Sequence, residues 1–237
     1  MDYDQMAIDM HAKNRGKIAT QSKVSLKTMD DLSTAYTPGV AAVCMEIARD
    51  TSKAFEFTNK GNMVAVVSDG SAVLGLGNIG PEGSMPVMEG KAVLFKELAN
   101  IDAWPICISA HEPEEIIMVV RSLAPTFGGI NLEDIASPKC FVIEEALQDL
   151  GIPVFHDDQH GTAVVVLAAM INALKVVNKE FHDIKVVFSG AGASGIACAK
   201  ILQVMGVENI ILVDTRGAIY QGRDNLTPVK EEIAKTT

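Results

Sequence analysis

The sequence predicts an α/β protein, and three observations lead to that class. Short apolar runs alternate with helix-length segments through most of the chain, which is the pattern of strand, crossover helix and strand. Aromatic residues make up only 5% of the 237 residues, while Gly, Ala, Val and Ile are abundant, as in buried parallel strands covered by helices. A glycine-rich turn, GAGASG, directly follows a β-branched run. We therefore expect an N-terminal α/β domain with a largely parallel sheet, followed by the first part of a Rossmann-type dinucleotide-binding domain.

The apolar runs predict six strands, and the longer periodic segments between them predict helices. The predicted strands are residues 63–68, 103–109, 129–132, 152–155, 184–189 and 209–213. The predicted helices are residues 86–99, 112–123, 137–150 and 162–177, one after GAGASG, and a polar one at 226–237. The apolar segment 162–177 is shorter than the ~20 residues that a bilayer requires, so it is interpreted as a buried helix.

The composition changes after Gly161, and this change predicts a domain boundary. We expect residues 1–160 to form the first domain and residues 161–237 to form part of a dinucleotide-binding domain. Only two strands are predicted after Gly161, whereas a full dinucleotide domain has about six. The dinucleotide domain is therefore expected to be incomplete.

The net charge and the cysteine pattern indicate which partners are excluded and in which compartment the protein is expected. The net charge of −10 opposes close approach to phosphate backbones and anionic membranes, so neither nucleic acid nor a membrane is an expected partner. The four cysteines lie far apart without a CxxC pair, which favours reduced thiols. The N-terminus carries acids where a signal peptide needs positive charge. We therefore expect a cytoplasmic protein.

The turn GAGASG has the spacing GxGxxG, between a predicted strand and an Ala-rich helix. Gly190 permits a tight turn, Gly192 lets the backbone approach a pyrophosphate, and Gly195 lets helix and strand pack closely. Ala193 and Ser194 begin the helix, where free N–H groups bind phosphate. Dinucleotide binding is the preferred interpretation, and a glycine-rich packing turn is the alternative.

Two residues near the end of the next strand bear on the choice of coenzyme. Asp214 can accept hydrogen bonds from a ribose diol and repels a 2′-phosphate, which favours NAD over NADP. Arg216 has the opposite effect, because it can pair with that phosphate, or it is simply a solvated loop arginine. NAD is therefore the expected coenzyme, and NADP remains possible.

Acidic pairs follow two of the predicted strands. Glu133 and Asp134 follow one strand, and Asp157 and Asp158 follow another, so a parallel sheet brings both pairs to the same edge. Carboxylate oxygens are hard ligands, so such a cluster favours Mg²⁺ or Mn²⁺. Each pair taken alone is more simply a helix cap or a solvated loop. Their shared position at the strand ends predicts a metal site.

Two further residues, Lys91 and Tyr36, have no local pattern that indicates a catalytic role. Lys91 lies near the start of an apolar helix, where a surface lysine is the default interpretation. Tyr36 lies beside Pro38-Gly39, and a tyrosine next to a turn is more often a packing residue than an acid.

Six motifs occur together in one order: AYTPGVA, SDGSAVLGLGNIGPEG, GKAVLFKELANID, NLEDI, FHDDQHGTA and SGAGASGIACAK. This series resembles the malic enzymes, especially the compact prokaryotic form, over about residues 13–225. Matched by motif, the resemblance implies a general acid at Tyr36, a general base at Lys91, metal ligands at Glu133, Asp134 and Asp158, and a neighbouring catalytic acid at Asp157. Larger eukaryotic members carry a substrate-binding arginine where this chain has Ala72.

The resemblance implies oxidative decarboxylation of malate to pyruvate with a divalent metal and a nicotinamide dinucleotide. Lys91, deprotonated by burial or a neighbouring charge, would take the C2 hydroxyl proton, and Tyr36 would protonate C3. Compact members of the family are commonly homodimers. Because the dinucleotide domain is predicted to be incomplete, weak or absent turnover is expected. Two alternatives remain: a malolactic enzyme that makes lactate, and a non-catalytic dinucleotide-binding or assembly domain.

Overall fold

A computed structural model describes residues 1–236 and confirms the α/β class, with a parallel sheet as its main feature. The strands of the described residues are β1 (Met63–Ser68), β2 (Asp102–Cys107), β3 (Gly129–Leu132), β4 (Val154–His156), β5 (Lys185–Ser189), β6 (Asn209–Asp214) and β7 (Gly217–Ala218). The α-helices are α1 (Tyr3–Asn14), α2 (Met29–Ala35), α3 (Val40–Arg49), α4 (Ala54–Phe57), α5 (Gly80–Ala99), α6 (Pro113–Leu123), α7 (Lys139–Ala146), α8 (Asp157–Val177), α9 (Ala193–Val204) and α10 (Pro228–Ile233). Short 3₁₀ helices occur at Thr51–Lys53, Asn59–Asn62 and Phe181–Asp183.

The first sheet has four parallel strands in the order β2-β1-β3-β4. The central strand β1 is apolar along its length because helices cover both of its faces, and Ala65, Val66 and Val67 are fully buried. Residues of α6 and α7 form the core on one face, whereas Met88 and Ala92 of α5 pack on Val66 on the other. All four strands point the same way, so the residues that follow them meet at one edge.

The second sheet has three strands in the order β5-β6-β7. Strands β5 and β6 are parallel, and β7 pairs with β6 in the antiparallel direction. Strand β7 was not predicted, since two residues are too short to show a period-2 pattern. The second core lies between this sheet, α9 and α10, and Phe141 of α7 packs against both cores.

Helix α8 departs from its prediction. It starts at Asp157, five residues before the predicted start, so the boundary predicted at residue 160 falls inside a helix and stays a prediction. The expectation of a buried helix is wrong: only Gln159, Ala163 and Leu174 are buried, and Val176 is 86% exposed. No element of residues 1–236 other than α9 packs along its length. By length and composition alone α8 is long enough to cross a membrane, yet its first turn carries two aspartates.

The N-terminal helices α1 to α4 lie outside both cores. No residue before Ala65 is buried, and apolar side chains of α1, α2 and α3 face the surface. Ile18, in the segment after α1, packs against the core on the α5 side. Lys17, the residue before Ile18, reaches the acidic edge of the first sheet.

Candidate active site

The two acidic pairs meet at the carboxyl edge of the first sheet, as their positions predicted. Strands β3 and β4 pair with Leu132 opposite His156, so the residues that follow them are neighbours. The Glu133 N–H donates to the Val67 carbonyl at 2.9 Å, which fixes the backbone against β1. One carboxylate oxygen from each of Glu133, Asp134 and Asp158 lies within 4.8 Å of the others.

This triad fits a hard divalent cation. Asp134 Oδ2 is buried without a hydrogen-bond partner among the described residues, and Asp134 has a left-handed φ of 53°. Burial raises the pKa of Glu133 to about 7. Burial, followed by the charge of Asp158, raises the pKa of Asp134 to about 6. Three crowded carboxylate oxygens, two of them from buried side chains, are the kind of ligand set that Mg²⁺ or Mn²⁺ takes.

Lys91 projects from α5 into this acidic group and is not a surface lysine. Its Nζ lies 2.8 Å from Asp157 Oδ2 and 3.1 Å from Glu133 Oε1. Burial by itself lowers the pKa of Lys91, but the Asp157 hydrogen bond and the Glu133 charge outweigh it, so the pKa is raised. In the chain without a bound cation the two acids thus favour the charged form of Lys91, and its deprotonation during the reaction stays a prediction.

Two buried polar residues lie beside the triad, and Asn131 was not predicted from the sequence. Asn131 Nδ2 donates to Glu133 Oε2 at 2.7 Å, and its position two residues earlier places it on the same face of the extended chain. His156 Nε2 lies 3.4 Å from Asp158 Oδ2. Burial lowers the pKa of His156 to about 4, so this ring is neutral and the contact is not an ion pair.

Gly161 makes room for the carboxylate that holds Lys91. A Cβ built on Gly161 would lie 2.3 Å from Asp157 Oδ1. In Gly161→Ala we expect Asp157 to turn away from Lys91, while the helix gains up to about 1 kcal/mol in propensity. Without that hydrogen bond the pKa of Lys91 falls, and acylation of Lys91 at fixed pH accelerates by about tenfold per pKa unit. Mass spectrometry of the labelled peptide measures the rate, and an unchanged rate would contradict the contact.

A cavity of about 730 Å³ opens in front of the acids, and we call it the acidic cavity. Its charged lining consists of Glu133, Asp134, Asp157, Asp158, Lys91 and Lys17. The loop after β1 contributes only apolar side chains to it, Val73, Leu74 and Leu76. Tyr36 does not line this cavity: it ends α2 and is 67% exposed. The structure of one chain therefore brings together all the predicted residues of this site except Tyr36.

The glycine turn lies between β5 and α9, where the fingerprint predicts it. Gly190 has a φ of 136°, and a Cβ on Gly195 would lie 2.1 Å from the Gly190 carbonyl oxygen. The tight turn and the close packing thus both require glycine. Nothing lies within 4 Å of a Cβ on Gly192, so the space in front of it is open in this chain. Helix α9 begins at Ala193 and Ser194 without a side-chain cap, which leaves its first N–H groups free for phosphate.

Asp214 ends β6 but is already engaged within the chain. Its Oδ1 accepts from the Arg216 N–H at 2.9 Å, and its Oδ2 accepts from Arg223 at 2.6 Å and Lys230 at 2.8 Å. The Arg223 and Lys230 hydrogen bonds hold the pKa of Asp214 well below its usual range. No spacing rule predicts these partners, which follow much later in the sequence. The Arg216 side chain is exposed and forms no ion pair within residues 1–236.

Comparison with known proteins agrees with this geometry. The family model of the malic enzyme N-terminal domain matches residues 13–113, and that of the malic enzyme NAD binding domain matches residues 159–237. An NAD-dependent malic enzyme of Geobacillus stearothermophilus is 61% identical over 94% of this chain and 47% of its own length. A bifunctional malic/malolactic enzyme of Bacillus subtilis (strain 168) is 54% identical over 100% of this chain and 58% of its own length.

Further relatives extend the likeness to both coenzymes and to solved structures. An NADP-dependent malic enzyme of Escherichia coli (strain K12) is 51% identical over 97% of this chain and 31% of its own length. The crystal structure of an NAD-dependent malic enzyme from Thermotoga maritima is 52% identical, with a TM-score of 0.94 over 98% of this chain and 62% of that chain. The chain thus spans about half the length of its first two relatives. On the match to both of that family's domains, the chain belongs to the malic enzyme family.

Proposed function

We propose that this chain serves the oxidative decarboxylation of malate to pyruvate and CO₂, with reduction of a nicotinamide dinucleotide and with Mg²⁺ or Mn²⁺. The observation that carries the proposal is the convergence of Lys91 with four carboxylates in one cavity, of which Glu133 and Asp134 are buried. Metal binding by the carboxylates alone would not explain why the Lys91 amine lies between Glu133 and Asp157. A base for a hydroxyl proton next to a hard cation site is the arrangement that this reaction requires.

The residues of the cavity have separable tasks in this proposal. Lys91 Nζ takes the C2 hydroxyl proton, and Asp157 holds that amine in place. Asn131 orients Glu133 by its 2.7 Å hydrogen bond. Glu133, Asp134 and Asp158 would hold the divalent ion, which supplies positive charge that polarises the C2 oxygen and lowers the pKa of the nearby amine. The role of Tyr36 as general acid rests on its motif alone.

The surroundings of Asp214 support use of both NAD and NADP. Its carboxylate is balanced by Arg223 and Lys230, so its repulsion of a 2′-phosphate is largely cancelled. The exposed Arg216 adds a free cation at the same strand end. Asp214 still favours NAD, but the chain should also bind NADP as an alternative coenzyme.

We expect the affinities of this chain for NADH and NADPH to differ by no more than about tenfold. In Arg216→Ala the NADPH affinity falls about fivefold, the magnitude of one exposed ion pair, and the NADH affinity is unchanged. Fluorescence titration of the two coenzymes measures both values. Rejection of NADPH by more than a hundredfold in the unmutated chain would contradict the charge balance around Asp214.

Product analysis under single-turnover conditions tests the proposed reaction. The chain, in excess over uniformly ¹³C-labelled malate with Mn²⁺ and NAD, should form labelled pyruvate and CO₂, which NMR detects even when the reaction is slow. Lys91→Arg keeps the charge but cannot act as a base near neutral pH, so it should form none. EDTA should also stop the reaction. Malate that stays intact although the unmutated chain binds malate, Mn²⁺ and NAD together would contradict the proposal.

One named relative favours a second candidate. The Bacillus subtilis protein is described as both malic and malolactic, so lactate is the alternative product. The same NMR experiment separates the two reactions, because lactate appears without net NADH. A non-catalytic binding domain would form neither product, and its Mn²⁺ affinity would not depend on Glu133 or Asp158.

We also propose a cytoplasmic homodimer. The exposed apolar side chains of α1, α2 and α3 support the dimer, because exposed groups of this kind are commonly covered by association. Sedimentation of the purified chain tests the oligomeric state, and a monomer at micromolar concentration would contradict it.

A further inference from the structure

The acidic cavity needs one more cation to bind a dicarboxylate, beyond the divalent ion and Lys91. Its lining holds four carboxylates and two ammonium groups, a net charge of −2 when all are ionised. A divalent ion brings that charge to zero. Malate adds two further negative charges, and a buried anion needs a paired cation or hydrogen-bond donors. Lys91 is already paired with Asp157 and Glu133.

The loop after β1 brings no cation to this cavity. Its lining residues are Val73, Leu74 and Leu76, and the preceding Ala72 carries no charge. The Ala72 N–H is used to hold the Asp134 carbonyl at 2.9 Å. Among the described residues, a cation for a second substrate carboxylate is therefore available only elsewhere in the lining.

Lys17 is the other cation of the lining, and it is firmly placed. Its N–H donates to Glu89 Oε2 at 3.0 Å, and its Nζ donates to the Pro86 carbonyl at 2.7 Å. The next residue, Ile18, packs against the core beneath α5. Backbone, side chain and neighbouring residue are all anchored, so the position of the ammonium group is set by the fold.

The ammonium group of Lys17 faces the acidic cavity. A second cavity, of about 790 Å³, also touches Lys17, but Pro86 and Gly90 line only the acidic one. Lys17 Nζ contacts the Pro86 carbonyl and lies 3.7 Å from a Cβ built on Gly90, the residue before Lys91. Within residues 1–236 it forms no ion pair, and two of its three N–H donors remain free.

We propose that Lys17 binds the substrate carboxylate remote from the metal-bound end of malate, and so selects a dicarboxylic over a monocarboxylic 2-hydroxy acid. This inference rests on the proposed function, because it takes malate as the substrate. In the proposed function Lys91 would act on the C1 and C2 end beside the metal ligands, and lactate shares this end with malate. Lys17 acts on the C4 carboxylate, which lactate lacks.

Calorimetric titration of the Mn²⁺-loaded chain with malate and with lactate tests the proposal. Lys17→Ala should weaken malate binding by about tenfold to a hundredfold, the effect of one charged hydrogen bond, and leave lactate and Mn²⁺ binding unchanged. Lys17→Arg should retain malate binding. The matched control is Lys23→Ala, which removes a lysine that lines only the second cavity and should change neither ligand.

The outcomes separate the inference from the function on which it rests. If the unmutated chain binds malate and Lys17→Ala binds it equally well, the inference is overturned and the proposed function stands. Equal losses for malate and lactate in Lys17→Ala also overturn it, because Lys17 then does not distinguish the second carboxylate. If the unmutated, Mn²⁺-loaded chain binds neither acid, both the proposed function and the inference fail.

Discussion

Asp134→Asn is expected to bind Mn²⁺ at least about a hundredfold more weakly than the unmutated chain. Loss of an outer partner of a metal ligand costs 10–100-fold in affinity, and loss of a direct ligand should cost no less. Asparagine keeps the shape of Asp134 but removes the charge that makes this buried oxygen a strong ligand. Because Asp134 is buried against Asp158, removing its charge should not destabilise the metal-free fold.

The melting temperature reports both parts of this prediction. A ligand at 100 times its Kd stabilises a protein by about 2.7 kcal/mol, and a chain of this size gains about 2–4 °C per kcal/mol. Mn²⁺ should therefore raise the midpoint of the unmutated chain by roughly 5–11 °C and that of Asp134→Asn by less than about 2 °C. Asp149→Asn, which removes an exposed acid, is the control and should respond like the unmutated chain. An equal Mn²⁺ response in Asp134→Asn would contradict the assignment of this ligand.

Lys91→Met should destabilise the metal-free chain by about 1–3 kcal/mol. The substitution leaves Glu133 and Asp157 without their shared cation, and Glu133 is almost fully buried. A fully buried pair would lose more, but Asp157 is partly solvated, which reduces the penalty. Saturating Mn²⁺ should recover most of the loss, because the ion then balances the charge of Glu133.

Urea unfolding in EDTA and in Mn²⁺ measures this difference. The chain has one tryptophan, Trp104 in β2, so its fluorescence reports the first sheet. Lys96→Met is the control, since Lys96 pairs with Asp102 on the solvent side of the same helix and should cost less than about 1 kcal/mol. A loss for Lys91→Met that is the same with and without Mn²⁺ would show that Lys91 does not share charge with a metal site.

The first sheet was predictable because its strands are short, apolar and buried on both faces. Strands β1 and β3 match their predicted bounds, and β2 and β4 are displaced by one or two residues. Parallel order then follows from the intervening helices, and it brings the acids after β3 and β4 together without further information. Burial was predicted wrongly for α8, because burial depends on contacts with elements that are distant in the sequence. The apolar sequence of α8 indicated a core helix, but only α9 packs along it within the described residues.

The candidate site also has a part that was predictable from local sequence and a part that was not. The carboxylates after β3 and β4 were predictable from strand order, whereas Lys91 could be assigned only through the family motifs. Its environment depends on how α5 packs over β1, a contact that no local pattern contains. Lys17 and the partners of Asp214 were missed because they reach the site through loops and late helices. The raised pKa of Lys91 was also missed, because it requires the distances to Glu133 and Asp157.

Anomalous diffraction from crystals of the chain soaked in Mn²⁺ tests the metal centre most directly. The ion should appear once at the carboxyl edge of the first sheet, about 2.0–2.2 Å from one oxygen each of Glu133, Asp134 and Asp158. A manganese peak bound by other residues, or full occupancy that persists in Asp134→Asn crystals, would contradict the account.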